Sequence, residues 1–311
     1  MKKIFFIVFL VAVSFNLSSQ PGVDIFKPMY GEVEKSEALK KAEEEFRKAE
    51  IEKFGSVDSA MFFYLNKAWS YLYNNDPGTA MKRFNMAWLF NPEYPDAYFG
   101  FAALLDLLGN YDEARRFYLL GAEKDTDNQR TIICFHQIAE CREHLEDITG
   151  AVDALLKIRM LQPDDPYLFK RLGYLYMKNG DNLAALEAYT RAIELDPEDP
   201  DTYHNRAYLY QEMKDVQRAI VDYTQCVLRD PTNTSAFVNR GILEMQRDNY
   251  DAGKQDFETG SRINGQSGEI RRLLGVAKLS LDDKKGACED FTLAKELGDT
   301  VVDDLIDRYC K

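Results

Sequence analysis

Small residues recur along this chain at a period of 34 positions, from Met61 to about Val301. When each block is numbered from its first residue, the eighth and twentieth positions are always Gly or Ala. The eighth positions are Ala68, Ala102, Ala139, Gly173, Ala207, Gly241 and Gly275. The twentieth positions are Ala80, Ala114, Ala151, Ala185, Ala219, Gly253 and Ala287. A fixed period of this length indicates stacked supersecondary units.

Each block predicts two helices joined by a turn. Two apolar runs are separated by a turn signal such as Gly109-Asn110, Gly180-Asp181 or Asp282-Asp283. These residue types tolerate left-handed or capping conformations, so they end one helix and begin the next. Small residues allow close approach where the two helices cross, and aromatic residues at the fourth and twenty-fourth positions of most blocks fill the adjacent space.

This pattern resembles the tetratricopeptide repeat (TPR) family. The fullest match is the block that carries Leu172, Gly173, Tyr176, Gly180, Ala185, Tyr189, Ala192 and Pro197. The resemblance implies an all-α, right-handed superhelical solenoid of seven tandem helix-turn-helix repeats with N- and C-terminal capping helices. Its concave face would be lined mainly by the first helix of each pair. The predicted repeats span residues 61–94, 95–128, 132–165, 166–199, 200–233, 234–267 and 268–299 of the segment 61–299.

The third block departs most from the family pattern. Gln129, Arg130 and Thr131 form an insertion before it, which predicts a local irregularity. Arg142 occupies a position where the family usually has Tyr, and Ile158 one where it usually has a small residue.

The N-terminal residues predict export. Lys2 and Lys3 precede a ten-residue apolar stretch at residues 4–13, which is too short to span a bilayer. We therefore expect a signal peptide at residues 1–19, a periplasmic or secreted location, and no membrane span in the mature chain.

Both ends of the repeat array need covering, because a solenoid exposes apolar surface at its termini. Residues 20–60 predict a flexible lead-in and then a capping helix that starts at Ser36 and ends at Gly55. Alternatively, this helix binds a partner as part of a loose arm. Residues 300–311 predict a C-terminal capping helix.

Charge and cysteine content limit the function further. The chain has 52 acidic and 39 basic residues, a net charge of −13, which disfavours nucleic acid binding. Export permits disulfides. Cys288 and Cys310 should lie at similar heights on neighbouring antiparallel helices, which makes a disulfide possible. The alternative is two unpaired, half-buried thiols.

Candidate catalytic chemistry is sparse. His136, Glu140 and His144 share one helical face and are residue types that bind zinc. Because eight residues of helix rise about 12 Å, one zinc ion cannot contact both histidines. A solvated polar face is the simpler interpretation. The sequence has no recognisable catalytic motif, and we expect neither enzymatic activity nor a cofactor.

The concave face of blocks four to six is the candidate binding site. Aromatic, Asn and Lys side chains suit an extended peptide. The candidate residues are Tyr167, Lys170, Arg171, Tyr174, Met177, His204, Asn205, Tyr208, Gln211, Asn239 and Met245. Family members that bind chaperone C-termini use a set of Lys, Arg and Asn residues. Lys170 and Asn205 match that set, but Tyr174 replaces its Asn, so this two-carboxylate clamp is absent.

Charged residues replace apolar ones together at the seventh and twenty-third positions. Phe101 with Phe117 in block two becomes Arg206 with Asp222 in block five and Arg240 with Asp256 in block six. We expect each Arg to contact its Asp across the helix pair as a structural substitute for apolar packing. The alternative is that these charged residues bind a ligand.

Taken together, the sequence predicts an exported, non-enzymatic scaffold or adaptor whose groove binds a protein segment. One alternative is a structural component of a cell-envelope assembly. A second is a metal-dependent site at His136, Glu140 and His144. The sequence leaves the oligomeric state open.

Overall fold

The structure is a computed structural model that describes residues 24–32 and 34–311. The proposed signal peptide lies outside the described residues. Within those ranges the regular elements are all helical, without a strand. No helix in this part of the chain is both long and apolar enough to cross a membrane. The chain divides into two compact units, Met1–Pro163 and Asp164–Lys311.

The first unit contains a short 3₁₀ helix, Pro28–Gly31, followed by seven α-helices. They are α1 (Glu37–Phe54), α2 (Val57–Tyr73), α3 (Pro77–Phe90), α4 (Pro95–Leu107), α5 (Tyr111–Lys124), α6 (Asn128–His144) and α7 (Ile148–Leu161). Helices α2 and α3, α4 and α5, and α6 and α7 pack as successive hairpins.

The second unit continues this architecture. Its α-helices are α8 (Pro166–Lys178), α9 (Asn182–Leu195), α10 (Pro200–Glu212), α11 (Val216–Arg229), α12 (Thr234–Gln246), α13 (Tyr250–Ile263), α14 (Gly268–Ser280), α15 (Lys284–Glu296) and α16 (Asp303–Tyr309). A 3₁₀ turn, Thr300–Val302, precedes α16. The hairpins are α8 with α9, α10 with α11, α12 with α13, and α14 with α15.

Each hairpin turn is built from a left-handed residue followed by a helix cap. The left-handed residues are Asn75, Gly109, Glu146, Gly180, Lys214, Asp248 and Asp282. In five hairpins the next residue is an Asp whose carboxylate accepts a hydrogen bond from the backbone N–H three residues later. These caps satisfy amide groups that a helix start leaves without partners. The turn residues noted in the sequence therefore form the turns.

The small residues allow the helices of a hairpin to approach closely. A Cβ atom placed on Gly173 would lie 2.6 Å from the ring of Tyr189 on the facing helix. Tyr189 and Ala185 are fully buried. Here the aromatic ring occupies the space that the missing side chain leaves free, as the repeat pattern predicted.

In two hairpins the first helix begins four residues before the first position of its block. Helix α2 begins at Val57 rather than Met61, because Ser56 caps it by accepting a hydrogen bond from the backbone N–H of Ser59. Helix α6 begins at Asn128 and has 17 residues, whereas α4 has 13. The three-residue insertion therefore lengthens α6 at its N-terminus.

The described part of the lead-in, residues 24–32, is packed against α3 and α1. The side-chain amide of Asn85, on α3, donates to the carbonyl oxygens of Ile25 (3.3 Å) and Lys27 (2.8 Å). Tyr30 is only 3% exposed and packs with Leu39. The side-chain amide of Asn85 thus satisfies two backbone carbonyl groups of this segment.

Helix α1 has the predicted caps. Ser36 accepts a hydrogen bond from the backbone N–H of Leu39, and Gly55 adopts a left-handed conformation with a φ of 85°. Phe46 is buried, with its ring centroid 6.1 Å from that of Tyr64 on α2. The helix therefore covers the first hairpin rather than projecting as a loose arm.

At the other end, α16 packs on α15. Val302 is fully buried beside Phe291. The structure joins Cys288 and Cys310 by a disulfide, with a Cα–Cα distance of 5.6 Å. Cys134, Cys141 and Cys226 are buried free thiols.

Candidate functional site

The candidate residues lie on the first helices of three hairpins in the second unit: α8, α10 and α12. We call this surface the first-helix face of the second unit. Tyr174 and Tyr208 occupy the ninth position of their blocks, and their helices are in contact. Because the eighth residue points into the hairpin, the ninth turns about 100° away from it. Tyr167, Tyr174 and Tyr208 are accordingly 52%, 44% and 42% exposed.

Lys170 lies on this face but is already paired with acidic residues. Its Nζ is 3.0 Å from the carboxylate of Asp199 and 3.8 Å from that of Asp201. Burial alone would raise the pKa of Asp199, but hydrogen bonds from Thr202 and Lys170 hold it below its usual value. Lys170 therefore positions the loop before α10 and offers less charge to a ligand than the sequence suggested.

The amide side chains are part of a hydrogen-bonded network with a buried tyrosine. Asn239 Nδ2 donates to Tyr223 Oη at 3.2 Å. Tyr223 Oη donates to Gln211 Oε1 at 3.4 Å. This network fixes Gln211 and Asn239 on neighbouring first helices, so their orientation is set before any ligand binds.

His204 lies against the same tyrosine. Its ring makes an edge contact with Tyr223, at a centroid distance of 5.5 Å. Its Nε2 atom is buried and, in the part of the chain that the structure describes, has no hydrogen-bond partner. Burial lowers the pKa of His204, against a hydrogen bond to Asn205. The imidazole is therefore neutral at pH 7. Around His204 the first-helix face thus presents amide and aromatic groups rather than a positive charge.

The two methionines partly belong to the core. Met177 packs against the cluster that contains Tyr189, and Met245 packs against the cluster that contains Phe257. Their part-buried side chains form the apolar edge of the face. Asn205 and Arg171 are likewise part-buried on α10 and α8.

The predicted Arg–Asp pairs are confirmed as contacts within the hairpins. Arg206 binds both carboxylate oxygens of Asp222, at 2.7 and 2.9 Å, and Arg240 binds Asp256 in the same way, at 2.9 and 2.6 Å. The Asp side chains are almost fully buried. These residues are structural, since their charges face each other.

Each pair has a third member that the sequence analysis missed. Arg206 also donates to Thr190 Oγ1 and Arg240 to Thr224 Oγ1, both at 3.1 Å. Each Arg thus joins its own hairpin to the second helix of the preceding hairpin. The signal was present in the sequence, because each Thr precedes its Arg by the same 16 residues.

The proposed zinc-binding residues are not arranged as a metal site. His144 stacks on Tyr111, with centroids 4.3 Å apart and an interplanar angle of 7°. Across the described residues, no three His, Cys, Asp or Glu side chains converge in a way that could hold a metal ion.

The first unit also contains a cavity that was not predicted from the sequence. It is an open pocket with a volume of about 420 Å³, lined by residues of α2, α4, α5 and α6. Residues that line it include Trp69, Phe99, Ala103, Asp106, Tyr118 and Ile133. Ala103 occupies the ninth position, where the second unit has Tyr174 and Tyr208, and this small side chain was the available signal.

The cavity lacks an activated nucleophile among its described lining residues. Cys134 is its thiol, and burial raises the pKa of that thiol to about 12. A thiol with such a pKa stays protonated at neutral pH and reacts poorly.

Comparison with known proteins supports the repeat assignment. A family model described as TPR repeat matches residues 173–214, and one described as tetratricopeptide repeat matches residues 200–233. No curated protein is significantly similar in sequence to the chain.

Solved structures show the same fold over more of the chain. The C-terminal part of a TPR repeat-containing protein from Cytophaga hutchinsonii has a TM-score of 0.65 and 15% identity, covering 76% of this chain and 96% of that one. A tetratricopeptide repeat protein from Parabacteroides merdae has a TM-score of 0.55 and 16% identity, covering 81% and 99%. A structure of the MamA protein has a TM-score of 0.51 and 19% identity, covering 54% and 92%.

These similarities agree with the helical hairpins, the small residues at the helix crossings and the capped turns. At such identities the solved structures establish the fold alone. The chain is an all-α protein of helical hairpins that shares the tetratricopeptide repeat fold, and residues 173–233 match models of that repeat.

Proposed function

We propose that this protein is a non-enzymatic scaffold or adaptor that binds a segment of a partner protein on the first-helix face of the second unit. The observation that carries the proposal is the exposure of Tyr167, Tyr174 and Tyr208 on helices whose backbones are fixed by hairpin packing. Large aromatic rings that are rigidly held supply much of the binding energy in protein interfaces.

Polar groups beside the rings favour a peptide over a purely apolar ligand. The Asn239–Tyr223–Gln211 network holds two amide side chains in fixed orientations. Amides both donate and accept, so they suit the backbone of an extended chain. Because the face is ordered in advance, little side-chain entropy is lost on binding.

The experiment is affinity capture with the mature protein as bait, from the envelope and secreted fractions of its source cells. The test variant combines Tyr174→Ala, Asn205→Ala and Tyr208→Ala, and we expect it to lose most of a specifically captured partner. A matched control combines Leu183→Ala, Val221→Ala and Leu228→Ala, which removes three exposed apolar side chains from second helices. Equal melting temperatures of the variants exclude unfolding as the cause.

The opposite pattern contradicts the proposal. If the test variant captures the partner normally while the control variant does not, the second helices form the interface. That result would favour the alternative of a structural envelope component that assembles through its outer surface.

We further propose that the mature protein acts outside the cytoplasm, on the basis of the charged and apolar pattern of residues 2–13. Mass spectrometry of the protein from its source should find an N-terminus near residue 20 in the periplasmic or secreted fraction. An intact N-terminus on protein from the cytoplasmic fraction would contradict it.

A further inference from the structure

The cavity of the first unit combines aromatic walls with a carboxylate. Trp69 comes from α2, Phe99 and Asp106 from α4, and Tyr118 from α5. Ile133, at 60% exposure, places one side of the cavity at the protein surface. Aromatic rings attract cations as well as apolar groups, because their faces carry partial negative charge.

Asp106 is placed where a negative charge is unfavourable for folding. It is half-buried and is the next-to-last residue of α4, at the negative end of the helix dipole. Burial raises the pKa of Asp106, and the nearby Glu140 raises it further. Within the described residues it forms no ion pair with a Lys or Arg, although the Cys141 thiol donates a hydrogen bond to it.

The rest of the cavity does not neutralise this charge. Arg130 lines the opposite part, but it is already paired with Asp96 at 2.5 Å. Asp125 also acts on Arg130, and its Oδ2 atom is buried without a hydrogen-bond partner in the described structure. His144 acts on Asp106 in the direction opposite to Glu140. The carboxylates in and around the cavity therefore outnumber its one guanidinium group, that of Arg130; they belong to Asp96, Asp106, Asp125 and Glu140.

We propose that this cavity binds a basic side chain, lysine or arginine, of a protein segment that passes over the first unit. The apolar stem of that side chain packs between Trp69, Phe99 and Ile133, and the charged end reaches Asp106. A basic residue fits both halves of the cavity, because it joins a long methylene chain to a single positive charge.

The positions of the lining residues make this proposal independent of the tyrosine face of the second unit. All of them belong to α2, α4, α5 and α6. A half-buried carboxylate without a Lys or Arg partner, such as that of Asp106, lowers the stability of the folded protein. A ligand that supplies the positive charge would account for its presence.

The test uses nuclear magnetic resonance of the full mature chain. The sequence has two tryptophans, so the spectrum has two indole N–H signals. Trp69 lines the cavity, whereas Trp88 donates to Tyr98 Oη at 3.1 Å and serves as the internal reference. The Trp69→Phe variant assigns the signals.

The probes are N-acetyl-lysine methylamide, N-acetyl-arginine methylamide and, as a neutral isostere, N-acetyl-norleucine methylamide. We expect the basic probes to shift the Trp69 signal with millimolar affinity, about tenfold tighter than norleucine. Pentylammonium tests for a free amine: it should bind no more tightly than the lysine probe. If pentylammonium binds and the lysine probe does not, the cavity takes a free amine and the proposal is wrong.

Asp106→Asn supplies the decisive variant. It should remove the tenfold preference for the basic probes while leaving the melting temperature unchanged or raised, since a disfavoured charge is removed. Asp153→Asn, an exposed change on α7 of the same unit, should keep the preference. The proposal is overturned if norleucine binds as tightly as lysine, if Asp106→Asn keeps the preference, or if no probe moves the Trp69 signal.

Discussion

The two units differ in the residues that bring the two helices of a hairpin into contact. At the seventh and twenty-third positions, the first unit places Phe101 against Phe117, with both rings buried and their centroids 5.6 Å apart. The second unit places Arg206 against Asp222 at the equivalent positions. The hairpin geometry is thus compatible with either an apolar contact or an ion pair.

The ion pair makes contacts that the aromatic pair does not, but it depends on both of its members. The aromatic pair is stabilised by burial of apolar surface and does not require a partner of opposite charge. The Arg206 guanidinium also reaches Thr190 on the preceding hairpin, so it orders two hairpins relative to each other. A buried pair contributes little net stability, but losing one member leaves a charge without compensation.

The largest expected effect follows from breaking one such pair. Asp222→Ala should lower the free energy of unfolding by about 3–5 kcal/mol, because Arg206 stays buried without its counter-ion. Chemical denaturation of the variant and the wild type measures this difference.

A double variant sharpens the comparison. Arg206→Leu with Asp222→Ala recreates the apolar pair that Leu172 and Ala188 form in the preceding hairpin. It should recover most of the lost stability. If the double variant is no more stable than Asp222→Ala, an apolar pair cannot replace the Arg206–Asp222 ion pair between the two helices.

The eighth position provides a second contrast, because the first unit has Ala there and the second has Gly in three of four hairpins. Gly173→Ala should destabilise by about 1–3 kcal/mol through overpacking, since the new Cβ meets the buried Tyr189 ring at 2.6 Å. This loss exceeds the gain in helix propensity of about 1 kcal/mol. Thermal unfolding tests it, and a Gly173→Ala variant more stable than the wild type would contradict the close-packing account.

The hairpin turns provide a smaller and opposite pair of effects. Lys214 has a left-handed φ of 64°, whereas Gly180 has the same conformation without a side chain. Lys214→Gly should stabilise the protein by up to about 1 kcal/mol, and Gly180→Ala should destabilise it by about the same amount. Denaturant midpoints that move in the same direction for both variants would disprove the requirement for a left-handed residue.

The smallest effect concerns pH. Burial lowers the pKa of His204 in the folded protein below the ordinary value of 6.5, so the unfolded chain binds the proton more readily. Stability should therefore fall as the pH drops through about 6.5 and below, until the folded-state pKa is passed. His204→Asn should flatten this part of the profile relative to the wild type; identical slopes would show that the imidazole is not held neutral.

The sequence predicted those features that depend on neighbouring residues or on the repeat period. The turns, the caps at Ser36 and Gly55, and the Arg–Asp contacts belong to this group, because each follows from a short spacing that recurs or a known local preference. Thr190 and Thr224 could have been found by the same comparison between blocks.

Features that depend on distant residues were not predictable. The packing of residues 24–32 rests on Asn85, which lies 58 positions from Lys27 and looks like any other polar helix residue in the sequence. The cavity requires four helices to leave a gap around Ala103. The ion pair between Lys170 and Asp199 likewise depends on the position of the loop that precedes α10.

The most direct test of the proposed function is the affinity of a captured partner segment for the purified protein, measured by titration calorimetry. The account predicts that Tyr174→Ala with Tyr208→Ala weakens binding by at least about thirtyfold, or 2 kcal/mol, as expected for interface residues that dominate the binding energy. The Leu183→Ala and Leu228→Ala control should leave it within a factor of about two. Unchanged affinity in the tyrosine variant, with loss in the control, would contradict the account.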